Sequence, residues 1–159
     1  MIAAAPDLTF LLSQAAHVLT TELTAGLSQL GISPRAHCVL SHARAAELTQ
    51  KQLAERCALD KTTMVVTMDE LERAGWAERR VSSTDRRAHI ISVTPAGERK
   101  VDEAQQIVSR IHDDVLGALP AHERAAFVDA LGRLVGPAGR LSTPMQCERP
   151  VRRRSTRAA

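Results

Sequence analysis

Residues 48–97 read LTQKQLAERCALDKTTMVVTMDELERAGWAERRVSSTDRRAHIISVTPAG, and this stretch decides the fold. Thr49 precedes the short segment QKQLAERC, and Gln52 stands three residues after it, the spacing of a capping box. Leu53, Ala54 and Cys57 share one face of that segment. Ala58 and Leu59 leave a two-residue turn before Asp60, the cap of a second helix, KTTMVVTMDELERA. Gly75 closes it at the position that favours a left-handed residue. The period then changes from helical to alternating. WAERRVS and AHIISVT read as two short strands joined by the polar SSTDRR. Two helices meeting at a tight turn, followed by a hairpin, predict a winged helix-turn-helix.

Outside that block the chain reads as helix. Asp7 caps a segment in which Leu8, Leu11, Leu12, Ala15, Leu19, Leu23, Leu27 and Leu30 form an apolar stripe about six turns long. Gly31 ends it. Ser33-Pro34 opens a helix to about Ala46, with Val39, Leu40 and Ala43 inward. Thr94-Pro95 begins another through about Leu119, with Val101, Ile107 or Val108, Ile111, Val115 and Leu119 on its inner side. Pro120 starts a last helix carrying Phe127, Leu131 and Leu134. The predicted class is mainly α, a winged helix-turn-helix with a two-stranded hairpin wing and a helical dimerisation region from both chain ends. Residues 48–94 form the expected DNA-binding core. Residues 7–32 and 95–135 form the expected dimerisation region, and residues 136–159 a disordered basic tail. Part of the first helix's stripe is then expected to pack on a second subunit.

The composition agrees. Aromatic residues make up 2% of the 159, so the core is built from aliphatic side chains and Met, which suits helices better than a large sheet. The net charge of +3 is misleading as a nucleic-acid signal. From Gly136 onward there are six Arg and one acid, which leaves fifteen basic and seventeen acidic groups in residues 1–135. A DNA-binding argument for the body must therefore rest on where charges stand. No signal peptide or membrane-spanning run is evident, and three cysteines without a CxxC pair fit a reducing cytoplasm. There is no GxSxG, phosphate-cradling glycine loop or HExxH, so no enzyme and no cofactor are expected.

In a helix-turn-helix the second helix enters the major groove with its N-terminal residues at the base edges. Met64, Met68 and Leu71 point to the core at i, i+4 and i+7, leaving Lys61, Thr62, Thr63, Val65 and Val66 outward. Lys61 suits a phosphate or guanine edge, the threonines phosphates or bases, and the valines thymine methyls. Gln50, opening the bracing helix, joins this set. Ser83, Thr84, Asp85, Arg86 and Arg87 form the wing tip, where an arginine can enter a narrow minor groove with Asp85 steadying it. The competing readings are that Val65 packs in the core and that the DRR run is a solvated charge cluster.

The stretch from 48 to 97 resembles the multiple-antibiotic-resistance regulator (MarR) family. The shared features are a leucine-alanine bracing helix, a recognition helix ending in LE-x-x-G, a wing D-x-R at Asp85–Arg87, and an exit LT-x-x-G. Here that exit is Val93-Thr94-Pro95-Ala96-Gly97, with Val in place of Leu. By element order the resemblance extends over residues 7–135. It implies a two-fold dimer with interlocked first and last helices, a pseudo-palindromic DNA site, and a minor-groove arginine, Arg87. It also implies a repressor that releases DNA when a small molecule, often phenolic, binds, or when a cysteine is oxidised. Winged-helix protein docking and low-specificity architectural DNA binding are the alternatives.

A pocket lined by the first, second and fifth helices would offer His17, Arg35, His37 and His42 to an effector. Cys38 and His42, four residues apart, with His112-Asp113 near in the expected fold, suit zinc or copper. That spacing alone is too weak to assign a metal, and none is expected. Redox sensing would use Cys38 or Cys57, of which Cys57 reads as an inert core thiol, while Cys147 near Arg149 is the more exposed one.

Overall fold

The computed structural model describes residues 7–82, 89–136 and 141. Along them run α1 (Leu8–Ser28), α2 (Pro34–Ala45), β1 (Leu48–Thr49), α3 (Gln50–Arg56) and α4 (Lys61–Arg73). Then follow β2 (Ala77–Val81), β3 (His89–Val93), α5 (Pro95–Gly117) and α6 (Ala121–Val135). The chain divides into two units, Met1–Val115 and Leu116–Ala159, and α6 belongs to the second. None of the described helices is long and apolar enough to cross a membrane.

Helices α1 to α4 begin where the sequence supplies a side-chain oxygen. The Asp7 carboxylate accepts from the Thr9 and Phe10 amides, and the Ser33 hydroxyl accepts from the Ala36 amide, with Pro34 at the first helical position. At α3 the capping box is complete: the Gln52 amide donates to Thr49 Oγ1 at 3.3 Å and the Thr49 amide donates to Gln52 Oε1 at 2.9 Å. Asp60 Oδ1 accepts from the Thr63 amide at 2.9 Å and opens α4. Each of these caps satisfies an amide that the first turn leaves without a helical partner.

The turn between α3 and α4 is a Schellman closure. Leu59 N–H donates to Ala54 O at 2.8 Å, Ala58 N–H donates to Glu55 O at 3.3 Å, and Ala58 takes φ of 51°. A non-glycine residue thus holds a left-handed conformation at the tightest point of the helix-turn-helix. The same closure ends α4, here with Gly75 at φ 71° and Trp76 N–H donating to Leu71 O at 2.9 Å.

β2 and β3 pair antiparallel from Ala77↔Val93 to Val81↔His89. The expected two-stranded wing is here a three-stranded sheet of order β1-β3-β2, with Leu48↔Ile91 and Thr49↔Ile90 adding the third strand. Two residues cannot show a period of two. Their strand character comes from the edge that β3 offers them.

The core of the first unit is aliphatic, as the composition requires. Leu27, Val39, Leu40, Leu53, Met64, Met68, Leu71, Ile91 and Val101 are fully buried. Two expected stripes extend past it. On α1 Leu27 is buried, but Leu8 and Leu11 are 61% and 47% exposed. On α5 Val101 and Val108 are buried, whereas Val115, expected inside, is exposed, and Leu119 falls beyond the helix end. In the second unit α6 buries no residue, and the expected inner residues Phe127 and Leu134 are exposed.

The exit motif has a steric cause. The Thr94 hydroxyl donates to Gly75 O at 2.7 Å and accepts from the Gly97 amide at 3.1 Å, and the Thr94 amide donates to Trp76 O at 3.0 Å. A Cβ on Gly97 would collide with the Trp76 carbonyl and stand 2.8 Å from Val93 Cγ1. Gly97→Ala should therefore destabilise by about 3 kcal/mol or more, since backbone must move to admit it. Ala58→Gly should stabilise by up to about 1 kcal/mol, the relieved left-handed cost exceeding the added unfolded-state entropy. Urea unfolding with an unchanged m-value checks both signs.

Candidate nucleic-acid interface

α4 presents the face that its sequence spacing predicts. Met64, Thr67, Met68 and Leu71 are buried, Lys61 and Thr62 are exposed, and Val65 and Val66 are 38% and 52% exposed. Val65 is thus outside the core. Thr63 is half-buried, and its hydroxyl donates to Asp60 Oδ2 at 2.6 Å, so it can meet DNA only as an acceptor. Hydrogen bonds from the Thr63 hydroxyl and amide hold the Asp60 carboxyl below the usual carboxylate range. The resulting fixed negative charge caps the helix and partly offsets its positive end toward a phosphate.

Gln50 and Lys61 line one open hollow of about 520 Å³ between α3 and α4, together with Ala54 and Met64. Gln50 also meets a residue that the sequence reading did not single out. Arg79 on β2 donates through Nε to Gln50 Oε1 at 3.3 Å and through Nη2 to Asp69 Oδ1 at 3.1 Å. Its Nη1 bonds to Glu72 Oε2, and its backbone amide donates to Glu72 Oε1 at 3.1 Å. One guanidinium therefore ties the hairpin to both helices of the motif. With its oxygen held, Gln50 retains its capacity as a donor. An arginine in a short strand reads as a solvated side chain. The available signal was the pair Asp69 and Glu72, three apart on the preceding helix. The wing candidates Ser83, Thr84, Asp85, Arg86 and Arg87 lie outside the described residues, as does Cys147.

The four effector candidates separate. His37 and His42 line a cavity of about 320 Å³ formed by α1, α2 and α5, with Ser41, Gln105 and His112 as further polar groups and Leu23, Leu27 and Val108 as apolar wall. His17 lines a different hollow along α1 with Thr20, Thr21 and Thr24, and Arg35 is exposed. Burial, then the charges of Arg44 and His112, lower the His37 pKa below the ordinary histidine value. His37 Nε2 lies 3.3 Å from Ser41 Oγ.

Cys38 and His42 do stand together, but their third neighbour is Cys57. Cys38 Sγ is 3.8 Å and Cys57 Sγ 4.0 Å from His42 Nδ1. Cys57 is half-buried and packs against the aliphatic core, the setting its place on the apolar face of α3 predicts. The packing of α3 on α2 brings the Cys57 sulfur to His42, a tertiary contact that spacing along one helix cannot show. A hydrogen bond with the Cys57 thiol, followed by His42, brings the Cys38 pKa down to about 6 against the opposing effect of burial. The same pairing and burial push Cys57 up.

A two-helix motif with an outward N-terminal face, braced by a hairpin, defines a winged helix-turn-helix fold. Residues 30–88 match the model of the MarR family. The chain is similar to CouR from Rhodococcus jostii RHA1 bound to p-coumaroyl-CoA, with 27% identity over 86% of this chain and 97% of that one, at a TM-score of 0.77. It is similar to a MarR-family transcriptional regulator from Rhodococcus sp. RHA1, with 26% identity over 87% and 99% of the two chains, at a TM-score of 0.78. The fold is also that of the transcriptional repressor CouR bound to a 23-mer DNA duplex, at 24% identity over 79% and 90% of the chains and a TM-score of 0.73. The family match covers residues 30–88, and the similar solved structures include a MarR-family transcriptional regulator.

The His37 environment has a consequence for pH. Its lowered folded-state pKa favours the neutral ring, so its contribution is present above the unfolded value and is lost as pH falls through the folded one. The melting temperature should decline between about pH 7.5 and about pH 5.5, and His37→Gln should flatten that decline. A series of thermal melts across this window measures the slope.

Proposed function

We propose that this chain is a homodimeric repressor that binds a pseudo-palindromic operator and is released by a small-molecule effector. The observation that carries DNA reading is the outward N-terminal face of α4, where Lys61, Thr62, Val65 and Val66 are exposed above a buried Met64–Met68–Leu71 stripe. Two adjacent exposed valines beside a lysine suit thymine methyls and a phosphate in the major groove. Gln50 adds a donor at the edge of the same face, and Thr63 an acceptor. Ser83, Thr84, Asp85, Arg86 and Arg87 complete the reader from the wing, Arg87 in the minor groove. The six arginines after Gly136 add salt-sensitive, sequence-independent attraction.

Dimerisation has its own support. A fifteen-residue helix with no buried residue, α6, is not stable alone in water and calls for a packing partner. The exposed Leu8, Phe10, Leu11 and Val18 of α1 and Phe127, Val128, Leu134 and Val135 of α6 supply apolar surface for it. Residues 7–32 and 95–135 are the dimerisation regions in this reading. The cavity of α1, α2 and α5 is the effector pocket, with apolar walls for a ring and His37, His42, Ser41 and Gln105 for its polar substituents. The similar CouR structure holds p-coumaroyl-CoA, an aromatic acyl compound, and a phenolic or aromatic acid is the class proposed here.

Gel retardation on the chain's own promoter fragment, with random duplex as competitor, tests the reading. Lys61→Ala should weaken binding and lower the salt slope by about 1, and Arg87→Ala should weaken it about tenfold or more. Removal of residues 137–159 should weaken binding without altering sequence preference. Equal affinity for promoter and random duplex would replace the repressor by an architectural binder. Absence of retardation on either would favour a protein-docking module.

A further inference from the structure

The cluster of Cys38, His42 and Cys57 lies apart from the DNA-reading face and gathers donors from two elements, α2 and the C-terminal end of α3. Their candidate ligand atoms all lie within 4.8 Å of one another, and each residue is half-buried. In a tetrahedral zinc site with Zn–S near 2.3 Å and Zn–N near 2.05 Å, sulfur and nitrogen stand about 3.6 Å apart and two sulfurs about 3.8 Å. The sulfur–nitrogen distances of 3.8 and 4.0 Å are close to that arrangement before any ion is considered. A small adjustment of side-chain torsions closes the set.

The donor chemistry is selective. Two thiolates and an imidazole, with no carboxylate in the cluster, favour closed-shell thiophilic cations over magnesium or calcium. Packing alone explains half-buried cysteines, since a thiol behaves as a small hydrophobe. It does not explain why both sulfurs converge on the same ring nitrogen. His42 Nδ1 lies 2.9 Å from Cys38 O, a carbonyl that can only accept, so Nδ1 carries the proton in that arrangement. Ligation at Nδ1 moves this proton to Nε2, and two thiol protons leave to solvent as the metal–sulfur bonds form. Cys38 and His42 also line the cavity of α1, α2 and α5, which supplies a path of entry.

We infer that Cys38, His42 and Cys57 form a binding site for one thiophilic metal ion, Zn(II) or Cu(I), that bridges α2 to the bracing helix α3. Three protein ligands complete a trigonal Cu(I) site. For zinc they leave the fourth position to water or an exogenous ligand. The site stands independently of the repressor reading, because its readout is the metal itself.

The test uses the full, reduced, metal-stripped chain under anaerobic conditions. Titration with Co(II), a spectroscopic stand-in for zinc, should develop thiolate-to-cobalt charge-transfer absorption that saturates at one ion per chain and is displaced by Zn(II). A parallel arm titrates Cu(I) against a chromophoric chelator, and the arm that retains its ion identifies the metal. Cys38→Ser and Cys57→Ser should each weaken binding by about 100-fold or more, and His42→Gln by about tenfold or more, since even outer-shell changes cost 10–100-fold. Circular dichroism establishes that each variant is folded. In the unmutated chain, equimolar metal should protect Cys38 and Cys57 from alkylation while Cys147 still reacts, a readout that needs no variant. Failure of both ions to bind, binding that survives Cys57→Ser in a folded chain, or equal alkylation of all three thiols overturns the site.

Discussion

The junction of Gly75, Trp76, Thr94 and Gly97 is the constraint on which the helix-turn-helix and its hairpin depend. The end of the recognition helix, the start of the hairpin and the start of α5 meet there within hydrogen-bonding distance. The Thr94 hydroxyl serves two backbones at once, donating to Gly75 O and accepting from the Gly97 amide. Trp76 O approaches α5 so closely that no side chain fits at 97. Because the hairpin leaves α4 and returns to α5 through this one point, its direction follows from the contact. A wing aimed elsewhere would cost those bonds.

A second layer of fixation is electrostatic. Arg79 joins β2 to Asp69 and Glu72 of α4 and to Gln50 of α3. Arg44 of α2 contacts Asp102 at 2.5 Å and Glu98 at 3.7 Å on α5. Both are multidentate and only partly exposed, which distinguishes them from the long exposed pair Lys51–Glu55, whose contribution is small. α4 is thereby positioned from both the hairpin and α3, the fixation that the proposed reading of base edges requires.

Most of this architecture was legible in the sequence because its signals are local. Asp7, Ser33, Thr49 and Asp60 cap the helices they were expected to cap, and Gly75 takes the left-handed conformation. Met64, Met68 and Leu71 are inside, while Val65 and Val66 are outside. The readings that changed concern pairs distant in sequence. β1 exists through its pairing with β3, and Gln50 is engaged by a residue 29 positions away. Histidines that shared a candidate role divide between two hollows.

The sequence by itself determined the order of elements, most of their caps and the inward faces of α2, α3 and α4, because these follow from backbone amides that need partners and from the 3.6-residue period. Only the tertiary structure decided which side chains meet. Cys57 joined Cys38 and His42 because α3 packs on α2, and Arg79 found two carboxylates and an amide because β2 packs on α4. Periodicity assigns a residue to a face. The angle at which two faces pack decides its neighbours, and no spacing along a single element contains that angle.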